Sequence, residues 1–358
     1  MYDFTALVQS IGNFLHGQFS PGVATALEWT LVILVYLALY AILGLVLVYV
    51  ERRVCAFFQL RLGPNRVGWA GTAQTVADAL KLLLKEPVTV NKADKLLFNL
   101  APFIITLAAL TVISLVPFAK GLQAFDINIG LLFIVAVSSI GVVGILLAGW
   151  SSNNKYALIG AMRSGAQIVS YELSVGLSLL TMVLLTGTLQ LSTIIETQAN
   201  GWWIFKGHVP AVIAFFLYIT ASIAEINRGP FDLPEAESEL TAGFHTEYSG
   251  LKFAFFFLAE FVNMFTVAAI ATTVFLGGWM PFHIGDWAGF NAVMDFVPPI
   301  LWFLLKVSAV IFLMMWFKWT FPRLRIDQLL KLEWKYLMPL NLMNLVFTAI
   351  LVYLGWHG

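Results

Sequence analysis

Residues 224–250 read AEINRGPFDLPEAESELTAGFHTEYSG and hold six carboxylates, Glu225, Asp232, Glu235, Glu237, Glu239 and Glu247, of the 20 acids in the whole chain. Carboxyls crowded together cannot all ionise cheaply, and they titrate as a group. Such a cluster can take up and hand on protons. The runs on either side, FFLYITASI and FAFFFLAEF, are apolar enough to sit in lipid. Two readings fit this stretch: a solvated acidic loop, or an acidic lining for a proton or substrate path. Pro230 and Pro234 break the end of the preceding helix. Asp232 takes an N-cap position with Glu235 three residues on, in capping-box spacing. Glu235 and Glu239 then fall one turn apart on a short helix, with Glu237 pointing elsewhere. This pairing predicts that at least one carboxyl of the group is held above its usual range.

Further ionisable residues fall inside the apolar runs. Insertion there costs roughly 2.5–3.5 kcal/mol each, and function is the default reading. They are Glu172, Glu225, Glu260 and Lys306, with Glu51 at the end of the first run. Ser164, Gln167, Tyr171, Ser174 and Ser178 recur at steps of three and four and form one polar stripe on a helix. Glu172 lies off that stripe, on the face of Gly165 and Gly176, where small residues let a neighbouring helix approach. A carboxyl enclosed there suits proton exchange. The structural alternative is a glutamate satisfied by an arginine or by hydrogen bonds. Asn263 follows Glu260 by about one turn. The long stem of Lys306 can equally reach an interface.

The elements that position these groups are membrane helices. The chain is 60% hydrophobic and 11% charged, with mean hydropathy +0.86, where a soluble domain carries about 25% charge. The fold class expected is an all-α polytopic membrane protein. A span needs about 20 apolar residues. Eight windows qualify, at about 27–50, 97–118, 130–150, 167–189, 209–226, 253–276, 297–317 and 339–356. They form one membrane domain over 1–358, without internal repeats. The first 25 residues read as a short lead-in and not as a cleaved signal peptide. Zero net charge gives no argument for nucleic acid. The single cysteine, Cys55, excludes an internal disulfide, and the five histidines lack paired metal-ligand spacing.

Lys and Arg set the orientation. Alternate connecting segments, 51–95, 151–166, 227–252 and 318–338, carry 17 of the 20 basic residues. The opposite side has only Lys120 and Lys206. That asymmetry places the acidic loop 227–252 on the cytoplasmic (or matrix) side and both termini on the other, periplasmic side. The loop 51–95 is organised. RLGPNRVG holds turn signals, and AQTVADALKLLLK follows with Val76, Leu80, Leu83 and Leu84 on one face, an amphipathic helix suited to a membrane surface.

Four blocks of the sequence resemble one family. They are ERRVCAFFQLRLGPNRVG at 51–68, with Gln74, Asp78, Lys81 and Lys85 beyond it; GAMRSGAQIVSYE at 160–172; residues 224–250 continuing to Glu260; and FPRLRIDQL at 321–329 with Trp334 and Lys335. Together they resemble the quinone-site membrane subunit of respiratory complex I, the bacterial NADH-quinone oxidoreductase. Trp69 and Thr75 depart from the family, which has proline there. The resemblance implies eight membrane helices, the first strongly tilted, and a subunit without its own redox cofactor. It implies quinone as substrate, with flavin and iron–sulfur clusters in partner subunits. The implied partners are the peripheral quinone-module subunits, the small and antiporter-like membrane subunits and the bilayer of a bacterial inner membrane.

Carried over, Glu51, Arg52, Arg53, Arg66, Arg228, Phe231, Arg323 and Arg325 would form or brace the quinone chamber and its entrance. Glu172, Glu225, Asp232, Glu235, Glu237, Glu239, Glu247 and Glu260 would couple quinone reduction to proton translocation. Catalytic redox residues in this chain are not implied. The rival readings are a homologous membrane subunit of a membrane-bound hydrogenase complex and a stand-alone proton-coupled transporter. The transporter would predict inverted repeats.

Overall fold

A computed structural model describes residues 4–199, 201–234, 237–283 and 287–355. Among these, every regular element is helical. Eight helices are long and apolar enough to cross a membrane. Apolar runs without water must satisfy their backbone internally, and helices do so within one segment.

The chain starts with α1 (Thr5–Gln18), where the sequence suggested only a lead-in, and continues into α2 (Pro21–Phe58), the first span. At 38 residues α2 is about 57 Å long against about 30 Å of hydrocarbon. That length permits steep tilt. The short helix α3 (Gln74–Leu84) follows. It keeps Thr75 and Asp78 inward and leaves Val76, Leu80, Leu83 and Leu84 exposed. The next spans are α4 (Lys95–Leu115), α5 (Gly130–Ser151) and α6 (Lys155–Thr186). Asp94 caps α4 by accepting from the Leu96 and Leu97 amides at 3.1 and 3.3 Å. Asn154 caps α6 through the Tyr156 amide at 2.9 Å. Both are side-chain oxygens taking orphan first-turn donors.

Two short helices, α7 (Leu191–Glu196) and α8 (Trp203–Lys206), lead into the span α9 (His208–Glu225). The loop after it contains one described turn of helix, α10 (Glu237–Leu240), before the span α11 (Gly250–Phe275). Then come α12 (Ala288–Asp295) and the span α13 (Pro299–Thr320). The last span, Ile326–Tyr353, joins α14 (Ile326–Leu332) through a π-helical turn (Glu333–Leu337) to α15 (Met338–Tyr353).

Five of the expected windows match within three residues. The other three helices reach further, the first at both ends and the other two at their starts, as the polar segments ERRVCAFF, KYALIGAMRSG and IDQLLKLEWKYL remain helical. The core centres on α11, where every residue from Met264 to Phe275 is buried. It packs against α4, α13, α2 and α9. Close approach elsewhere depends on small residues. A Cβ on Gly149 of α5 would lie 2.3 Å from the Ala161 side chain of α6. Gly165 likewise meets Leu146 of α5, whereas Gly176 has open space beside it, so only one of the two glycines near Glu172 tightens a helix contact.

Candidate functional site

The turn after α9 aims an arginine back into the bundle. Asn227 takes a left-handed backbone, φ 54°, and the Arg228 amide returns to the Ile223 carbonyl at 3.2 Å. Asn tolerates that conformation better than most residues. Gln167 of α6 locks this turn. Its amide donates to the Ala224 carbonyl at 2.8 Å, the Phe231 carbonyl at 2.7 Å and the Asn227 side chain at 3.2 Å. Part of the polar stripe on α6 is therefore a brace for the loop, and its members are all buried.

Arg228 is buried and holds two carboxylates at once. It donates to Glu51 of α2 at 2.5 Å and pairs with Glu260 of α11 at 2.7 Å. Its guanidinium lies 4.3 Å from the centre of the Phe261 ring. Lys318, at the end of α13, pairs with the other oxygen of Glu51. Two acids and two bases thus cross-link four parts of the chain. A planar guanidinium suits this fork, because it stays charged and presents fixed donors. Beside the network lies a cavity of about 510 Å³, lined by Glu51, Arg52, Cys55, Arg61, Arg228, Phe257, Glu260, Phe261, Lys318 and Trp319, among others. It combines apolar and aromatic walls with charged donors.

A second cavity, about 270 Å³, lies among α4, α5, α6, α9 and α11. Its walls are mostly aliphatic and aromatic, with Ser138, Glu225, Asn227, His245, Glu260 and Asn263 as polar points. The Ser138 hydroxyl of α5, which donates to the Val135 carbonyl at 2.9 Å, lies beside Glu225. Glu172 takes a hydrogen bond from the adjacent Ser139. Phe257 and Glu260 line both cavities.

The loop below is clamped by separate contacts. Asp232 pairs with Arg323 at 2.7 Å, a bridge to the segment after α13, while Glu235, its expected capping-box partner, lies outside the described residues. Glu239 pairs with Arg163 of α6 at 2.7 Å. The Arg163 hydrogen bond and charge, aided by Arg323 and Arg325, hold this carboxyl below its ordinary value. For Glu239 the flanking cation therefore outweighs any like charge beside it. Glu247 accepts from Asn154 at 2.5 Å. His245 stands edge-on to Phe244 and Phe253, and burial pushes its pKa down to about 4 against the opposing charge of Asp232. Tyr248 stacks on Phe98 and donates to its carbonyl at 3.1 Å, and burial raises its phenol to about 12.

The remaining expected residues divide. Arg52 pairs with Asp78 of α3 while lining the larger cavity. Arg53 turns away, donating to the Tyr49 hydroxyl at 3.0 Å and to the Ala70 carbonyl. Arg66 and Arg325 are exposed. Phe231 is buried against Tyr171, 5.7 Å between ring centres, and lines neither cavity. Glu235 lies outside the described residues, and the Glu237 side chain is likewise outside them. Lys306 is 3% exposed and donates to the carbonyls of Leu276, Gly278 and Met280 at 2.6, 3.0 and 2.6 Å. It finishes the open end of α11 instead of reaching an interface.

Sequence reasoning missed Lys318, Ser138, Ser139, Asn227, His245 and Glu333. The serine pair in VAVSSIGV was a visible signal, as two hydroxyls inside an apolar run. Glu333 was hidden because the last window began at 339.

Eight apolar spans folded around paired and hydrogen-bonded carboxylates define a polytopic membrane protein with a charged interior. The family model described as NADH dehydrogenase matches residues 30–349. The H subunit of the NADH-quinone oxidoreductase of Bacteroides fragilis is 59% identical over 357 residues, covering 100% of both chains. Its counterpart of the same name in Brevibacillus brevis is 48% identical, covering 94% of this chain and 96% of its own. That of Rickettsia felis is 50% identical over 86% of this chain and 88% of its own. The chain belongs to the NADH dehydrogenase family, as a membrane subunit of an NADH-quinone oxidoreductase.

Proposed function

We propose that the larger cavity is this chain's part of a quinone chamber, and that the smaller cavity carries the resulting charge change toward the membrane arm as proton movement. The observation that carries this reading is Glu260, which pairs with Arg228 beside the first cavity and lines the second. Reduction of a quinone to a quinol takes two electrons and two protons. The electrons come from partner subunits that hold flavin and iron–sulfur clusters. While the reduced oxygens await protons they carry negative charge, which competes for Arg228 and Lys318. A cation drawn toward quinone loosens its hold on Glu51 and Glu260. Glu260, left with less positive charge, then favours a proton, and the hydroxyl-flanked carboxyls Glu225 and Glu172 extend the route.

In this reading Arg52 and Arg61 stand at the chamber rim, and the 51–95 loop with α3 frames the entrance from the bilayer. The exposed apolar face of α3 suits a membrane surface. The pairs Asp232–Arg323 and Glu239–Arg163 hold the acidic loop in one position and release it when the chamber charge changes. The protein sits in the bacterial inner membrane with the acidic loop cytoplasmic and both termini periplasmic, as the basic-residue asymmetry supports. Its partners are the peripheral quinone-module subunits and the small and antiporter-like membrane subunits.

Arg228→Met in the complete enzyme tests the reading. It is expected to lower NADH–quinone activity more than tenfold and to leave NADH–ferricyanide activity unchanged. Unaltered quinone reduction in an assembled enzyme would remove Arg228 from the chamber.

A further inference from the structure

Another face of α6 carries a second polar feature, at residues that line neither cavity. The last span presents Glu333, Asn341, Asn344 and Thr348, all buried, toward α6 and α9. Glu333 is 1% exposed and Asn341 and Thr348 are 0% exposed. Ser174 of α6 donates to one oxygen of Glu333, while the other, Oε2, has no partner among the described residues. Both the nitrogen and the oxygen of the Asn341 amide lack one as well. Asn344 donates to the Pro210 carbonyl at 3.0 Å, in the first turn of α9, and its oxygen is left over.

Buried polar atoms are nearly always satisfied, and an orphan costs about 1–3 kcal/mol. Four such atoms on one line of a single span need a common explanation. Direct pairing does not supply one. Glu333 and Asn341 are eight residues apart, about 12 Å along a helix. A small species with both donors and acceptors, able to sit between them, is required, and water is the smallest that meets the need. The facing hydroxyls of Ser178 and Thr181, also buried, donate within their own helix and keep lone pairs to accept. The carboxyl of Glu333 has no ion pair among the described residues. The titratable group facing it from α6 is Tyr171, whose hydroxyl is occupied by the Leu329 carbonyl. The neighbouring lysines Lys331 and Lys335 are exposed, and Glu172 faces α5 instead.

We propose that the seam between α6, α9 and the last span holds a file of bound water that reaches Glu333. Glu333 thereby exchanges protons with the end of the bundle where α9 begins, by a route separate from the carboxylate cavity. The π-helical turn that begins at Glu333 is in keeping with this, since such turns recur at functional sites. The proposal stands on the orphaned atoms and does not rest on the quinone reading.

The test begins with a map of the unmodified complete enzyme at a resolution that shows ordered water inside its other subunits. Water within hydrogen-bond distance of the Asn341 amide and of Glu333 Oε2 is expected. A dry seam, or partner-subunit side chains making those bonds, would overturn the proposal. Infrared spectroscopy of the same complex adds a kinetic readout. A carboxylic-acid carbonyl band should disappear in Glu333→Gln, and in heavy water its isotope shift should slow at least tenfold in Asn341→Leu. No Glu333 band, or an unchanged exchange rate, would defeat the route to Glu333.

Discussion

The two cavities treat their carboxylates in opposite ways. Beside the larger one each acid has a cation: Glu51 has Arg228 and Lys318, and Glu260 has Arg228. In the smaller one Glu225 has the hydroxyl of Ser138 beside it, and Glu172, outside the lining, has that of Ser139. A buried ion pair fixes charge, because removing one partner strands the other at about 3–5 kcal/mol. A carboxyl held by a hydroxyl can be neutral or charged at smaller cost, since the hydroxyl can donate or accept. Charge is thus anchored where a substrate would press on it and exchangeable where a proton would travel. Glu260 belongs to both regimes.

This contrast can be broken at three positions. The largest effect belongs to Glu51→Gln, which leaves Arg228 with Glu260 alone and takes from Lys318 its paired carboxylate. A loss of about 3–5 kcal/mol is expected on the buried-pair scale, read as a marked fall in thermal stability or in yield of assembled enzyme. Wild-type stability would show that the network is not enclosed in the complex. Glu225→Gln is expected to leave assembly and melting nearly unchanged, because no ion pair is lost, yet to lower proton pumping severalfold. A melting loss equal to that of Glu51→Gln would erase the distinction between the cavities.

The smallest effect concerns His245, whose pKa is pushed down to about 4 from 6.5 by burial. Between those values the unfolded chain binds the proton and the folded one does not, so stability falls as pH drops from about 6.5 to about 4. A shift of this size corresponds to at most about 3.5 kcal/mol. Melting scans across that window should be flatter for His245→Gln. An equal slope would place the histidine in water.

The sequence made the spans and the crowding of acids readable, because apolar length and charge asymmetry are local properties. It also placed Glu260 and Glu225 at membrane depth. Pairings were not readable. Glu51 and Arg228 are 177 residues apart, and nothing local joins them. Crowding predicted a raised carboxyl somewhere in the acidic loop but could not say that Arg163, on another helix, pairs with Glu239. The packing of Phe231 against Tyr171 was likewise not readable. In each case the deciding contact comes from tertiary packing of a different span. The resemblance identified which residue types matter, while the structure showed which of them face one another.

The joint between the cavities is tested most directly by Glu260→Gln in the complete enzyme reconstituted in vesicles, with quinone turnover and proton pumping measured together. The account predicts that both fall severalfold while NADH–ferricyanide activity is retained. Normal quinone turnover with normal pumping would contradict it.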